Sequence, residues 1–386
     1  MKNILIAIRS IFKKGRHNVM KIVSLGIGLA VGLVLIAKVY FEQSYDDFYP
    51  DRDRVYQVWA KYQQNGGELK DYPQTSGGIA PTMQQQIPEI ETVTRYTSFG
   101  DWTFTMTDTK MKYSGRCIIA DSCFFDILPR PMLIGNAKEV LSTPMYVLIS
   151  SRIAKNIGGD VIGKNFTVDN SPGRTMTIGG VFEEVPENSH SRYDVIVSMA
   201  SAGRFMWEGS PTNMLGNDRY ISYVKLHKGV NPLALEEQVR TFVNSYFPPE
   251  EQQKVGLSID FSFHKLDNLH KELPQVKRMT WILSLLAFAL IFTAAMNYIL
   301  IVISSIVNRS KEVAVHKCYG ASENNIHGMM FGEALVHIVL SLILALLLIL
   351  AFRGTVEELL ATSLDSLLLS NGSSVSYTHL RAHETS

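Results

Sequence analysis

Trp281–Asn308 reads WILSLLAFALIFTAAMNYILIVISSIVN and contains no charged residue. At about 1.5 Å per residue a helix over this run is about 42 Å long, more than a hydrocarbon core of about 30 Å needs. Two other blocks are built the same way. Ile22–Phe41 has Lys38 as its only charge, near the end where a lysine stem can snorkel to the interface. Ala334–Phe352 has no charge apart from what His337 can acquire. Each block exceeds the roughly 18 residues that separate a spanning helix from a buried core helix. None shows the polar stripe that a core helix of this length would carry. The first block is longer than a signal-peptide apolar region and lacks a small-residue cleavage site before Phe41, so it reads as a retained anchor.

The flanks orient the three spans. Lys2, Arg9, Lys13, Lys14, Arg16 and Lys21 precede the first, and Glu42, Asp46, Asp47, Asp51 and Asp53 follow it, with Arg52 and Arg54 among them. The positive-inside bias therefore places the N-terminus in the cytoplasm. Arg309, Lys311 and Lys317 make the loop after the second span basic, and Glu357, Glu358 and Asp365 outweigh Arg353 beyond the third. Lys271, Lys277 and Arg278 run against the pattern at the outer end of the second span. They adjoin a long translocated segment, which contributes little to the bias.

Composition agrees. The 386 residues carry 37 Lys+Arg against 36 Asp+Glu, a net charge of +1, which excludes a nucleic-acid binder working by bulk positive charge. Apolar residues are 46% and charged residues 19%, below the globular norm of about 25%, as clustered apolar blocks require. Three cysteines rule out a disulfide scaffold. Cys117 and Cys123 fall outside the membrane, six apart, and fit either a disulfide or two independent buried thiols. Cys318 falls on the cytoplasmic side.

The domain plan is a cytoplasmic amphipathic segment (1–21), a first spanning helix (22–41), an α+β extracytoplasmic domain (42–276) and a second spanning helix with a stalk (277–307). A cytoplasmic loop (308–328), a third spanning helix (329–352), an external loop (353–369) and a tail (370–386) complete it. The fold class is thus a membrane protein with α-helical spans and a large domain inserted between the first two. That domain is expected to hold two subdomains. Arg54–Tyr62 (RVYQVWAKY) alternates as a half-buried strand does, and Trp102–Met106, Met145–Ile149, Thr175–Val181 and Tyr193–Met199 read as further strands. A short helix opens at Pro81 and closes before Pro88. Another is capped by Ser150 or Ser151 and stopped by Gly158, and a third, amphipathic, runs from Pro232 to Phe247.

Several chemical motifs fail on inspection. Gly158–Asn165 (GGDVIGKN) resembles a phosphate-binding loop, but Asn165 lacks the hydroxyl that ligates Mg²⁺, and the segment reads as a helix stop and a turn. His190 and Asp194 lack a G-x-S-x-G partner, and His190 is expected at the surface. Histidines and cysteines nowhere adopt metal-ligand spacing, so no catalytic, cofactor or metal site is expected. Within the spans, Gly28 and Gly32 form a G-x-x-x-G pair that admits a close helix or simply loosens the backbone. Asn297 is mid-span, where an amide is expected to face another helix; a substrate-binding role is the alternative.

Five stretches in order resemble the MacB/FtsX-like family of ABC transporter permeases. They are Asn3–Ala37 (NILIAIRSIFKKGRHNVMKIVSLGIGLAVGLVLIA), Tyr45–Val58 (YDDFYPDRDRVYQV), Ile134–Lys164 (IGNAKEVLSTPMYVLISSRIAKNIGGDVIGK, preceded by Leu133), Gly179–Ser198 (GGVFEEVPENSHSRYDVIVS) and Arg309–Ser322 (RSKEVAVHKCYGAS). The last is similar to the family's basic, Glu-containing segment ending in Gly-Ala, with His316 where relatives often carry arginine. The resemblance implies that Arg309, Lys311, Glu312, His316, Lys317, Tyr319, Gly320, Ala321 and Ser322 contact a separate cytoplasmic ATPase, since the cytoplasmic side of this sequence holds no Walker A loop. It also implies a dimer with itself or a paralogous permease and a bacterial inner-membrane location, and it leaves room for a periplasmic or outer-membrane partner. The function expected is relay of ATP-driven movement to the outer domain, in efflux, lipoprotein release or another envelope role, without catalysis in this chain. The alternative is an anchored extracytoplasmic sensor, although only about twenty residues separate spans two and three. Relatives have a fourth span soon after the third, whereas Ser370–Ser386 is polar and VSYTHLRAHETS resembles translated sequencing adapter. The expectation is a truncated gene fragment with an artefactual end.

Overall fold

The computed structural model describes residues 18–169, 171–308, 315, 318 and 323–369. The chain divides into two units, 1–44 with 271–386, and 45–270. Among the described residues three helices, Asn18–Gln43, Pro274–Asn308 and Glu323–Ala351, contain stretches long and apolar enough to cross a membrane, namely Asn18–Gln43, Pro274–Ser304 and Met330–Ala351. The second has 35 residues, about 52 Å of helix, with no break at Asn297 or at its glycine-free centre. Beyond the third, residues 353–369 form two short helices, Arg353–Leu360 and Leu364–Leu369.

The second unit holds eleven strands: β1 (Val55–Gln64), β2 (Lys70–Tyr72), β3 (Ile90–Met106), β4 (Lys112–Ala120), β5 (Met132–Ile134), β6 (Tyr146–Ser150), β7 (Asn165–Val168), β8 (Ser171–Phe182), β9 (Val195–Ser198), β10 (Ile221–Leu226) and β11 (Leu257–Lys265). They form one mixed sheet in the order β11-β1-β10-β3-β4-β9-β6-β8-β5, with β2 on β1 and β7 bridging β3 and β8. The β4–β9 and β6–β8 pairs are parallel and the rest antiparallel. The unit is therefore α+β, and one hydrogen-bonded sheet runs through it. The reason is β3. Its 17 residues pair β10 through Ile90–Tyr96, β4 through Tyr96–Thr105 and β7 through Phe104–Met106. A register shift between Ser98 and Gly100, with Gly100 at φ +75°, bends the strand so that one backbone serves both halves.

Three apolar clusters line this sheet. One gathers Phe104, Met106, Phe166, Ile178 and Val197; another holds Tyr96, Phe124, Leu148, Phe182 and Tyr223; the third holds Val58, Met83, Ile87, Val224 and Phe242. Local signals explain most helices. Ser150 caps Ser151–Ile157 by accepting from the Ile153 N–H, and Gly158 ends it at φ +75°. Pro81 lies inside the helix Ile79–Gln86, which starts two residues earlier than the proline suggested. Residues 232–247 divide into a 3-10 turn, Pro232–Leu235, and a helix, Glu236–Tyr246. Arg95, on β3, pairs with Asp121 (Nε–Oδ2 3.1 Å) and donates to the carbonyls of Gly77 and Pro211, fastening two loops to the sheet. Burial pushes the Asp121 carboxyl up, against the pull of Arg95.

Of the two readings for the outer cysteines, the structure adopts separate thiols: Cys117 is buried in the sheet and Cys123 half-buried, both unpaired. Phe104→Ala, in a fully packed site, is expected to destabilise the sheet unit by about 3–5 kcal/mol, read from denaturant unfolding followed by Trp102 fluorescence.

Candidate functional site at the helix seam and the outer joint

The loop residues Arg309, Lys311, Glu312, His316, Lys317, Tyr319, Gly320, Ala321 and Ser322 lie outside the described residues, as do 1–17 and the tail from 370. The other residues singled out in sequence are all visible. The first helix packs against both others through its glycines. A Cβ on Gly28 would overlap the Ala294 side chain, and one on Gly32 would strike Ile291, both on the second helix. Gly26, about 200° around the helix from Gly28, meets the third helix, where a Cβ would lie 2.9 Å from Leu344 Cδ2 and 3.2 Å from the Ser341 carbonyl. Small residues thus let two neighbours approach opposite faces of one helix.

Polar contacts fix the register of this seam. Asn297 Nδ2 donates to Ser24 Oγ at 2.6 Å, so the mid-span amide faces the first helix. Ser341 Oγ donates to the Ile22 carbonyl at 3.1 Å. Tyr298 Oη and His337 Nδ1 stand 3.5 Å apart, joining the second and third helices. At the outer end, Lys38 Nζ meets Glu42 Oε1 at 2.7 Å and donates to Thr362 Oγ1 at 2.8 Å. Lys38 is only 8% exposed, buried against these two partners. Leu364 and Leu367 are buried, and Glu357 accepts from the Leu364 N–H, so residues 353–369 form a folded cap rather than a plain loop.

The inserted unit has its own joint where the chain enters and leaves it. Asp46 is fully buried at φ +57°, and its carboxylate accepts from Ser189 Oγ (2.7 Å) and the His190 N–H (3.2 Å) and meets His190 Nδ1 at 2.5 Å. The Tyr45 ring stacks on His270, with centroids 3.5 Å apart and planes 6° from parallel, and His190 stands edge-on to both rings. The first two and the last residue of the unit are therefore stapled together through His190, which is partly buried and not the plain surface histidine expected. Behind Asp46, Arg130 donates to the Tyr49 hydroxyl and to the Ser191 carbonyl. Burial pushes the Tyr49 hydroxyl up to about 12, against the lowering effect of Arg130.

Sequence reading missed Ser24, Ser341 and the joint. The spacing of Lys38 and Glu42, four apart on a helix, was a legible signal for their pair. Asp46 and His190 are 144 residues apart, and nothing local announces them. Among the described residues no group of three His, Cys, Asp or Glu side chains could hold a metal ion.

Comparisons with known proteins bear on what this arrangement serves. The MacB-like periplasmic core domain matches residues 20–242, and the FtsX-like permease C-terminal domain matches residues 284–379. Among solved structures, a domain of a permease protein from Porphyromonas gingivalis is 33% identical, over 56% of this chain and 91% of that one, with a TM-score of 0.52. The periplasmic region of MacB from Actinobacillus actinomycetemcomitans is 16% identical over 56% of this chain and 91% of that one, with a TM-score of 0.36. The extracellular domain of the ABC-type transporter YknZ from Gram-positive bacteria is 11% identical over 53% and 98%, with a TM-score of 0.37. No curated protein matches the chain.

Because Gly28 has no room for a side chain, Gly28→Ile should cost about 1–3 kcal/mol, seen as a lower unfolding temperature of the detergent-solubilised chain. Gly354→Ala, where nothing lies within 4 Å, should leave that temperature unchanged or raise it.

Proposed function

The chain belongs to the MacB/FtsX-like family of ABC transporter permeases, and on that premise we propose that it relays ATP-driven movement from a cytoplasmic ATPase to its outer domain. Permeases of this family work with a cytoplasmic ATPase and often form dimers. In this reading the chain itself is non-catalytic and lies in the bacterial inner membrane with its N-terminus in the cytoplasm. The domain inserted between the first two spans is then periplasmic. The observation that carries the relay is the seam. Glycine contacts and the Asn297–Ser24 hydrogen bond join the first and second helices, which are also the two helices that lead into and out of the inserted unit.

A second helix of 35 residues is longer than a bilayer crossing requires, so part of it acts as a stalk. The joint of Asp46, His190, Tyr45 and His270 gives the outer domain a fixed base on which such movement acts. On the other side, Arg309, Lys311 and Lys317, after the second span, offer cations to the ATPase. The partner permease is a second copy or a paralogue, and the outer domain serves efflux, lipoprotein release or another envelope task.

Replacing Lys311, Glu312 and Lys317 together by alanine should reduce co-purification of a co-expressed ABC ATPase subunit by about tenfold or more, as loss of charge-assisted contacts implies. Unchanged co-purification would contradict the assigned role of the loop.

A further inference from the structure

The inserted unit contains a polar cleft of about 500 Å³, at which β4, the helix Ser151–Ile157 and the segment leading into β9 converge. Its floor is Asp194. Asp194 Oδ2 accepts the Arg116 N–H at 2.9 Å, while Oδ1 accepts from Ser150 Oγ at 3.4 Å and from Arg152 Nη2 at 2.5 Å. Gly115 makes room for it, since a Cβ there would sit 2.7 Å from Asp194 Cβ. Arg152 also reaches Glu184 Oε1 at 3.3 Å. Asp194 and Glu184 are thus both committed to Arg152, and the hydrogen bond that the guanidinium donates to Asp194, with the charges of Asp194 and Glu184, holds it above its ordinary pKa against the lowering effect of burial.

Two other guanidinium groups line the same cleft uncommitted. The side chains of Arg116 and Arg192 are exposed and make no hydrogen bond or ion pair among the described residues. Asp101 stands opposite Arg116 in the β3–β4 register, yet no ion pair closes between them. Arginine presents a planar fork of donors that matches a carboxylate or phosphate. A rigid floor with two open forks beside it is therefore built to receive an oxyanion. The lining sets four carboxylates, Asp101, Glu184, Glu187 and Asp194, against the three guanidiniums of Arg116, Arg152 and Arg192, so an oxyanion is held here by the two open forks and not by an excess of positive charge.

We propose that this cleft binds a ligand through a carboxylate or phosphate group held by Arg116 and Arg192. This deepens the relay reading above by giving the outer domain a class of ligand, but the binding itself does not depend on the relay. Calorimetric titration of the full chain in nanodiscs, with inorganic phosphate in one arm and succinate in the other, tests it. The wild-type chain should bind at least one probe. The double variant R116Q/R192Q should weaken that binding by about tenfold or more, and D101N should tighten it. Because neither arginine side chain has a partner among the described residues, the double variant should keep the wild-type unfolding temperature, which serves as the folding control. Binding of phosphate alone identifies a phosphate ligand and binding of succinate alone a carboxylate. Absence of binding by both probes, or equal binding by R116Q/R192Q and wild type, overturns the proposal. ATPase co-purification measured on the same variants reports separately on the relay, so either reading can fail without the other.

Discussion

Two helices can lie close against opposite faces of a third only where that helix has almost no side chains in the way. Gly26 on one face and Gly28 with Gly32 on the other meet this condition in the first helix. In lipid the apolar effect does not drive helices together, so contact at backbone distance and a few hydrogen bonds must do so. Asn297 on Ser24 and Ser341 on the Ile22 carbonyl supply those bonds, one toward each neighbour. The Lys38–Glu42–Thr362 cluster secures the outer end of the same helix to the cap that follows the third. The first helix is thereby the common spine of the membrane unit.

The inserted unit is held together by different means. Its sheet is continuous because β3 is long enough, and bent enough at Gly100, to serve both halves. Its base is closed by Asp46, a non-glycine residue held at positive φ, which carries a strain of order 1 kcal/mol that its hydrogen bonds offset.

The spanning blocks were legible because a run of about twenty apolar residues almost without charge suits a bilayer crossing and little else. Strands such as β1 were legible from alternation, and the helix after β6 from Ser150 and Gly158, since these signals are local. The sheet order was not, because pairing of β4 with β9 or β1 with β11 joins residues far apart in the chain, and composition says nothing about which edges meet. The same distance hid the Asp46–His190 joint and the cleft around Asp194, whose parts come from β4, the Ser150 cap and the β9 approach. Gly28, Gly32 and Asn297 were visible as residues of interest, but sequence left open which helix each one faces.

Oxidative cross-linking of a chain carrying S24C and N297C, with its native cysteines replaced, tests the seam in its native membrane. The account predicts rapid formation of a disulfide within a single polypeptide, because Ser24 and Asn297 touch at 2.6 Å across the first and second helices. A cross-link formed only between two polypeptides, or none under conditions that oxidise accessible thiols, would contradict it.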